Sequence, residues 1–328
     1  MDERERPVSE LGESELVRRI ISKMDAAPPG ETWSGDDAAS VRLASTRQVV
    51  TTDAIVEGVD FDRSYATGYD VGWKAIAINA SDIAAMGAAP SHAVATLSLP
   101  GSSTLGFVDD LTDGLVEAGR SVGVSIVGGD VGEASEISLS VAMTGVPVAD
   151  SAILRSGAAP GDRICVTGSL GGARAGLMAL RASLATDHPE LVARQLRPTA
   201  RVREAAALAP LGPSAMIDVS DGLARDLWRL VEASGVGCEI DEEAIPVDAG
   251  LAVFDGIEDP IESAIIGGED FELLFTIRAE SVPAAIAAVA ATGTDVTFIG
   301  TITEGARRIG DGSLEDWKER GWDHLRVR

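Results

Sequence analysis

The residues in this chain with the clearest chemical potential are aspartates set among small and β-branched neighbours. Asp36 and Asp37 fall in the turn Gly35-Asp36-Asp37-Ala38, Asp53 closes the run Val49-Val50-Thr51-Thr52, and Asp82 follows Ser81 inside an apolar stretch. Asp130 follows Gly128-Gly129, while Asp218 and Asp221 bracket Ser220 in Ile217-Asp218-Val219-Ser220-Asp221-Gly222. An unpaired carboxylate is costly in such surroundings. Several gathered together ionise jointly only when cations neutralise them. Carboxylate oxygens select Mg²⁺ or Ca²⁺ over zinc, and Mg²⁺ normally combines one or two carboxylates with phosphate oxygens and water. A set this large fits several ions shared with a polyphosphate. Each member also has an ordinary reading. Asp-Asp after glycine makes a turn or a helix N-cap, Asp221 is an N-cap, and Thr51 and Thr52 are strand residues. Asp82 resists that treatment most, because helical spacing puts it on a largely apolar face with Ala75, Asn79 and Met86.

Groups for the phosphate side are less distinct. No G-x-x-x-x-G-K-[ST] segment is present, which argues against a P-loop mechanism. Gly168-Ser169-Leu170-Gly171-Gly172 follows a strand pattern and opens a helix, so its amides could cradle phosphate or serve only as a turn. Arg155, near the middle of the chain, could reach a phosphate or be a surface charge. His92, His188 and His324 show no metal-ligand spacing, and no Ser/His/Asp or Cys/His nucleophile arrangement is visible.

The elements that must position these groups follow from apolar periodicity. Helices are expected over Leu16 to Met24, Gly72 to Met86 and Leu105 to Val122. Strands are expected over Gln48 to Thr52, His92 to Leu99, Val124 to Val127 and Ile137 to Val146. That order reads as an α+β sheet with helices on one face. The stretch Val148 to Asp162 is the best domain boundary, giving domains 1–148 and 149–328. The second half reads as an α/β unit. Its strands are expected over Arg163 to Thr167, Ala215 to Val219 and Val296 to Ile299, with another included within Glu269 to Thr276. A helix is expected after the glycine-rich turn, another over Leu191 to Leu208 broken at Arg197-Pro198, a third after Ser220-Asp221-Gly222, and a fourth over Val282 to Ala291.

Bulk composition narrows the partners. The chain has 328 residues, 52 acids against 27 Lys plus Arg, and a formal net charge of −25. Such a field repels nucleic acid and anionic membranes. Many acids with three lysines also fit solubility in high salt, where self-repulsion is screened. Cys165 and Cys238 lie far apart in apolar surroundings and read as buried free thiols of a reducing compartment. The charged start MDERERPVSE lacks the apolar core of a signal peptide, and no run reaches membrane-span length, so a cytoplasmic protein is expected.

Taken together, the motifs resemble the thiamine-monophosphate kinase family within the aminoimidazole-ribonucleotide-synthetase-like superfamily. The resemblance rests on Gly35 to Ala39, Thr51 to Gly58, Asn79 to Ala88, Gly128-Gly129-Asp130, Asp218 to Leu223, and Gly267-Gly268-Glu269-Asp270-Phe271-Glu272-Leu273-Leu274. It implies a two-domain, PurM-like fold. The N-terminal α+β domain would form a shared β-barrel in a homodimer, and the C-terminal α/β domain would complete an ATP site between them. It implies that Asp37, Thr51, Asp53, Asp82, Asp130, Asp218 and Asp221 hold Mg²⁺. Thr52, Gly129, Asp130, Arg155 and Ser220 would contact ATP, and Glu269 and Trp322 the thiamine monophosphate. Many members carry His where this chain has Asp60, near the substrate. A carboxylate there would reach the substrate through a metal ion or water, or not at all. The implied reaction is transfer of the terminal phosphoryl group of ATP to thiamine monophosphate. Other ATP-using enzymes of the superfamily and a non-catalytic nucleotide sensor are the alternatives. The early region lacks the cysteine a selenophosphate synthetase needs, and the chain ends Arg326-Val327-Arg328 rather than in the cysteine of a carbamoyl dehydratase.

Overall fold

Strand burial follows two patterns in this chain, and they mark two different sheets. The computed structural model describes residues 3–34, 38–253, 257 and 259–321. The chain divides into two compact units, Met1–Ile83 with Ala89–Val146, and Ala84–Ala88 with Pro147–Arg328.

The first unit holds α1 (Glu13–Ile21), β1 (Val49–Val56), most of α2 (Gly68–Ala85), β2 (Ala88–Leu99), α3 (Leu105–Val122), β3 (Ser125–Glu133) and β4 (Ser138–Pro147). Its four strands lie in the order β1-β4-β2-β3, with β1 antiparallel to β4 and β2 parallel to β3. In β4 alternate residues Leu139, Val141 and Met143 are fully buried, the period-2 signature of a sheet packed on one face. The strands β1 and β3 are the edges among the described residues. Residues 74–81 of α2 are all buried, Lys74, Asn79 and Ser81 among them, so this helix is buried nearly all round and forms the centre of the unit. The α3 boundaries match the periodicity, and Thr104 caps its start by accepting from the Phe107 amide.

The second unit holds β5 (Arg163–Thr167), α4 (Gly172–Arg181), α5 (Pro189–Leu196), α6 (Val202–Leu208), β6 (Ala215–Val219), α7 (Leu223–Ser234) and β7 (Gly237–Ile240). It continues with α8 (Pro260–Ile266), β8 (Glu272–Ile277), α9 (Val282–Ala290), β9 (Val296–Thr303), β10 (Arg307–Ile309), β11 (Gly312–Ser313) and α10 (Leu314–Lys318). The sheet order is β11-β10-β7-β9-β5-β8-β6, mainly antiparallel, with β10 parallel to β7. Every residue of β6 and β8 is buried. Ile164, Val166, Ile217, Val219 and Leu274 pack with α7 and α8, whereas Cys165, Met216, Phe275 and Ile277 pack with α6 and α9. This sheet is therefore covered on both faces. Burial pushes the free thiols of Cys165 and Cys238 up, to about 12 and about 11, which leaves them inert.

The structure adds detail to the expected elements. The strand β3 runs to Glu133, so Gly128-Gly129-Asp130 lies within it rather than after it. The strand β8 begins at Glu272, so Glu269 sits in the loop before it. The short elements β7, β10, β11 and α10 were not foreseen, being too brief to establish a period.

Candidate functional site

Helix α2 and edge strand β1 meet through three polar groups. Thr51 Oγ1 donates to Asp82 Oδ2 at 2.5 Å. One helical turn earlier, fully buried Asn79 accepts from the Asp53 amide at 3.1 Å and donates to the Ala75 carbonyl at 2.9 Å. Residues three apart on the helix thus address residues two apart on the strand. Sequence reading singled out Thr51, Asp53 and Asp82 but gave Asn79 no role. Its place in the apolar run Ala75 to Ala80 was the available signal, since a buried amide must find partners. Asp53 itself is exposed, and so is Thr52, whose hydroxyl turns away to the Val141 carbonyl.

Asp60 closes the turn after β1. Its Oδ2 accepts from the Val56 amide at 2.8 Å, and its carbonyl accepts from Lys74 Nζ at 3.3 Å. The carboxylate therefore has a structural partner that the sequence did not suggest.

Asp130 is exposed on β3, at the opposite edge of the four-stranded sheet from β1. A Cβ on neighbouring Gly129 would lie 2.0 Å from the Ala95 carbonyl oxygen of β2, so glycine is required there by strand packing.

In the second unit, two of the six quoted segments lie side by side. The Glu269 amide donates to Ser220 O at 2.8 Å and the Phe271 amide to Val219 O at 2.9 Å. Glu269 and Phe271 both occupy the left-handed region, with φ of 69° and 50°. Each conformation costs about 1 kcal/mol or more and persists only where its surroundings hold it. Asp218, 4 % exposed, is the penultimate residue of β6, opposite Leu273 and just before this junction.

Asp221 is held by Arg229 Nη2 at 2.5 Å, with Arg225 Nε at 3.8 Å. Behind it lies Asp226, on the first turn of α7 and fully buried. Its Oδ2 accepts from the amides of Ser220 and Asp221, both at 2.9 Å, and its Oδ1 from Arg229 Nη1 at 2.6 Å. Desolvation pushes this carboxyl up, to about 7, although Arg229 and the two amides oppose the shift. Sequence reading passed over Asp226, which looks like an ordinary acid near a helix start.

The glycine-rich turn is not a free phosphate cradle. Gly168 and Leu170 amides are spent on the carbonyls of Asp295 and Pro246. Gly171 and Ala173 amides donate to Asp270 at 2.6 and 3.2 Å, so a carboxylate of the chain itself occupies the start of α4. Desolvation pushes Asp270 up to about 7, although the residue keeps some exposed surface on a 250 Å³ cavity lined by Arg194, Arg197 and Arg201. Beside it, Glu272 is paired with Arg201 through two bonds of 2.7 and 2.5 Å and accepts from Thr167 at 2.7 Å. Burial raises its pKa against those three donors.

Arg155 is exposed in the segment before β5, with its carbonyl bound by Ser234 Oγ. Asp37 and Trp322 lie outside the described residues. Among the described residues no three His, Cys, Asp or Glu side chains gather as a metal-binding cluster, and no helix is long and apolar enough to cross a membrane.

Comparison with known proteins places these motifs in a wider set. The family model for the AIR synthase related protein, N-terminal domain, matches residues 35–147, and that for the C-terminal domain matches residues 159–311. The thiamine-monophosphate kinase of Aquifex aeolicus is 35% identical over 323 residues, which is 97% of this chain and 99% of that protein. The crystal structure of thiamine-monophosphate kinase from Stenotrophomonas maltophilia superposes with a TM-score of 0.80 at 31% identity, covering 91% of this chain and 96% of the other. The structure of AaThiL complexed with AMPPCP and TMP gives 0.77 at 33% identity, covering 98% and 99%.

Proposed function

The chain belongs to the thiamine-monophosphate kinase family of AIR synthase related proteins, and on that premise we propose that it phosphorylates thiamine monophosphate with ATP. The products are thiamine diphosphate and ADP. The observation that carries this reading is the end-to-end match to a relative complexed with AMPPCP, a methylene-bridged analogue of ATP, and TMP. The pairing of Val219-Ser220 with Glu269 to Phe271 supports it, because the two segments implied to hold nucleotide and substrate are fastened to each other.

The phosphate of thiamine monophosphate is already an anionic nucleophile, so direct in-line attack on the γ-phosphorus needs no covalent enzyme intermediate. The chain's task is then to position two anions and to balance their charge. Glu269, held in its strained conformation, is assigned to thiamine monophosphate, with Trp322 as an aromatic surface for its rings. Thr52, Gly129, Asp130, Arg155 and Ser220 are assigned to ATP. Asp60, already engaged by the Val56 amide, is assigned to holding its turn.

The candidate metal groups all offer hydroxyl or carboxylate oxygen and no sulfur or imidazole, which fits Mg²⁺. Thr51, Asp53, Asp82, Asp130, Asp218 and Asp221, together with Asp37, are the residues assigned to it. When bound, Mg²⁺ supplies charge neutralisation for the phosphates. A homodimer is part of the proposal. It is supported by the open edge at β1, where Val50 is 68 % exposed, since an exposed apolar edge strand calls for a partner. A cytoplasmic location is supported by two buried free thiols. ADP release measured with and without thiamine monophosphate tests the reading. Release that depends on thiamine monophosphate is expected, and release indifferent to it rejects the assignment.

A further inference from the structure

Gln195 has no role in the sequence reading, yet it makes a directed contact with a residue assigned to substrate. It stands near the end of α5, which is drawn against α4 at Gly176. A Cβ on Gly176 would lie 2.0 Å from the Leu191 carbonyl oxygen and 3.0 Å from the Gln195 Cβ. This close approach helps bury Gln195 to 4 % exposure. Its amide is thereby fixed, and Nε2 donates to Glu269 Oε2 at 2.5 Å. An ionised carboxylate offers acceptors only, so the amide must present its nitrogen.

The main chain of Glu269 is fastened at its own amide and two residues on, by Ser220 O and Val219 O. With the backbone set, the remaining freedom of Glu269 lies in its side-chain torsions, and the Gln195 contact restricts them. We propose that Gln195 is a positioning residue. It orients the Glu269 carboxylate and so sets the affinity for thiamine monophosphate without touching the reacting phosphates. The inference rests on the assignment of Glu269 to that substrate.

The test is a double-mutant cycle on the purified full chain, read by ADP release. Gln195→Met keeps the length of the side chain and removes the donor. It is expected to raise KM for thiamine monophosphate about ten-fold, the scale of one lost hydrogen bond to a charge, and to leave KM for ATP within about two-fold. Glu269→Ala is expected to raise the same KM at least as much, and adding Gln195→Met to it should change nothing further. Gln195→Asn, which keeps an amide but withdraws it by one methylene, should reproduce the split and serves if Gln195→Met folds poorly. If Gln195→Met raises both KM values equally, or acts as strongly without Glu269 as with it, the residue is only structural. If Glu269→Ala leaves KM for thiamine monophosphate unchanged, the substrate assignment of Glu269 falls, and this inference with it.

Discussion

Asp53 and Asp130 stand exposed on the two edge strands of a sheet packed on one face, whereas Asp218 and Asp226 are buried in a unit whose sheet is covered on both. In the first unit the candidate groups lie on a helix and an edge strand joined by side-chain contacts. One hydroxyl meets Asp82, and one buried amide fixes the Asp53 backbone. In the second unit the candidate groups are knitted into the chain by Arg229, Asp226, Gln195 and main-chain bonds. The difference teaches that carboxylates of one type carry different liabilities. An acid exposed on an edge strand keeps contact with water, while a buried, multiply bonded acid holds its surroundings together.

That contrast can be broken most directly at Asp82. Asp82→Asn should lower turnover about a thousand-fold, on the scale of removing a charge-stabilising group, while the melting temperature moves little. Steady-state ADP release and a thermal melt on the same sample decide it, and near-normal turnover would falsify the catalytic weight given to the first unit. Asp226→Ala should do the reverse kind of damage. It leaves two amides and a guanidinium without their acceptor, and about 3 kcal/mol of stability should be lost in urea unfolding.

A smaller effect concerns pH. The folded-state pKa of Asp270, about 7, lies above its unfolded value, so the native state holds a proton that the unfolded chain has released. Stability from this group is full below about pH 4 and falls as pH rises toward 7. Discounted for the water that reaches the residue, the loss is on the order of 1–2 kcal/mol. Denaturation midpoints at pH 5 and pH 8 should differ less in Asp270→Asn than in the parent chain. Smallest is Asp60→Ala, expected to cost about 1 kcal/mol through the lost bond to the Val56 amide and to leave KM for thiamine monophosphate unchanged. A raised KM would return Asp60 to the substrate's surroundings.

Much of this was legible before any coordinates. Asp82 stood out because a charge inside an apolar helix demands an explanation, and the helix is indeed the buried centre of its unit. The limits of α3, β5 and β6 followed from plain periodicity. Gly128-Gly129-Asp130 misled because glycines suggest a turn, while here Gly129 is a close-packing requirement inside a strand. The glycine-rich turn left two readings open, and the structure favours the structural one, since Asp270 from far along the chain accepts from its Gly171 amide and the Ala173 amide beyond. Asn79, Asp226 and Gln195 escaped notice because each is an unremarkable helical residue until its partner arrives. For Asn79 and Gln195 that partner lies 26 and 74 residues away.

The sequence by itself determined the inventory: which oxygen donors exist, the apolar runs that carry them, and the motif order that marks the family. Those depend on residue type and local period, which are properties of the chain as written. Only the tertiary structure decided which acids are spent on holding the fold and which remain presented. Burial, hydrogen-bond pairing and the desolvation that lifts Asp226 and Asp270 arise from neighbours remote in sequence, and no local pattern encodes them.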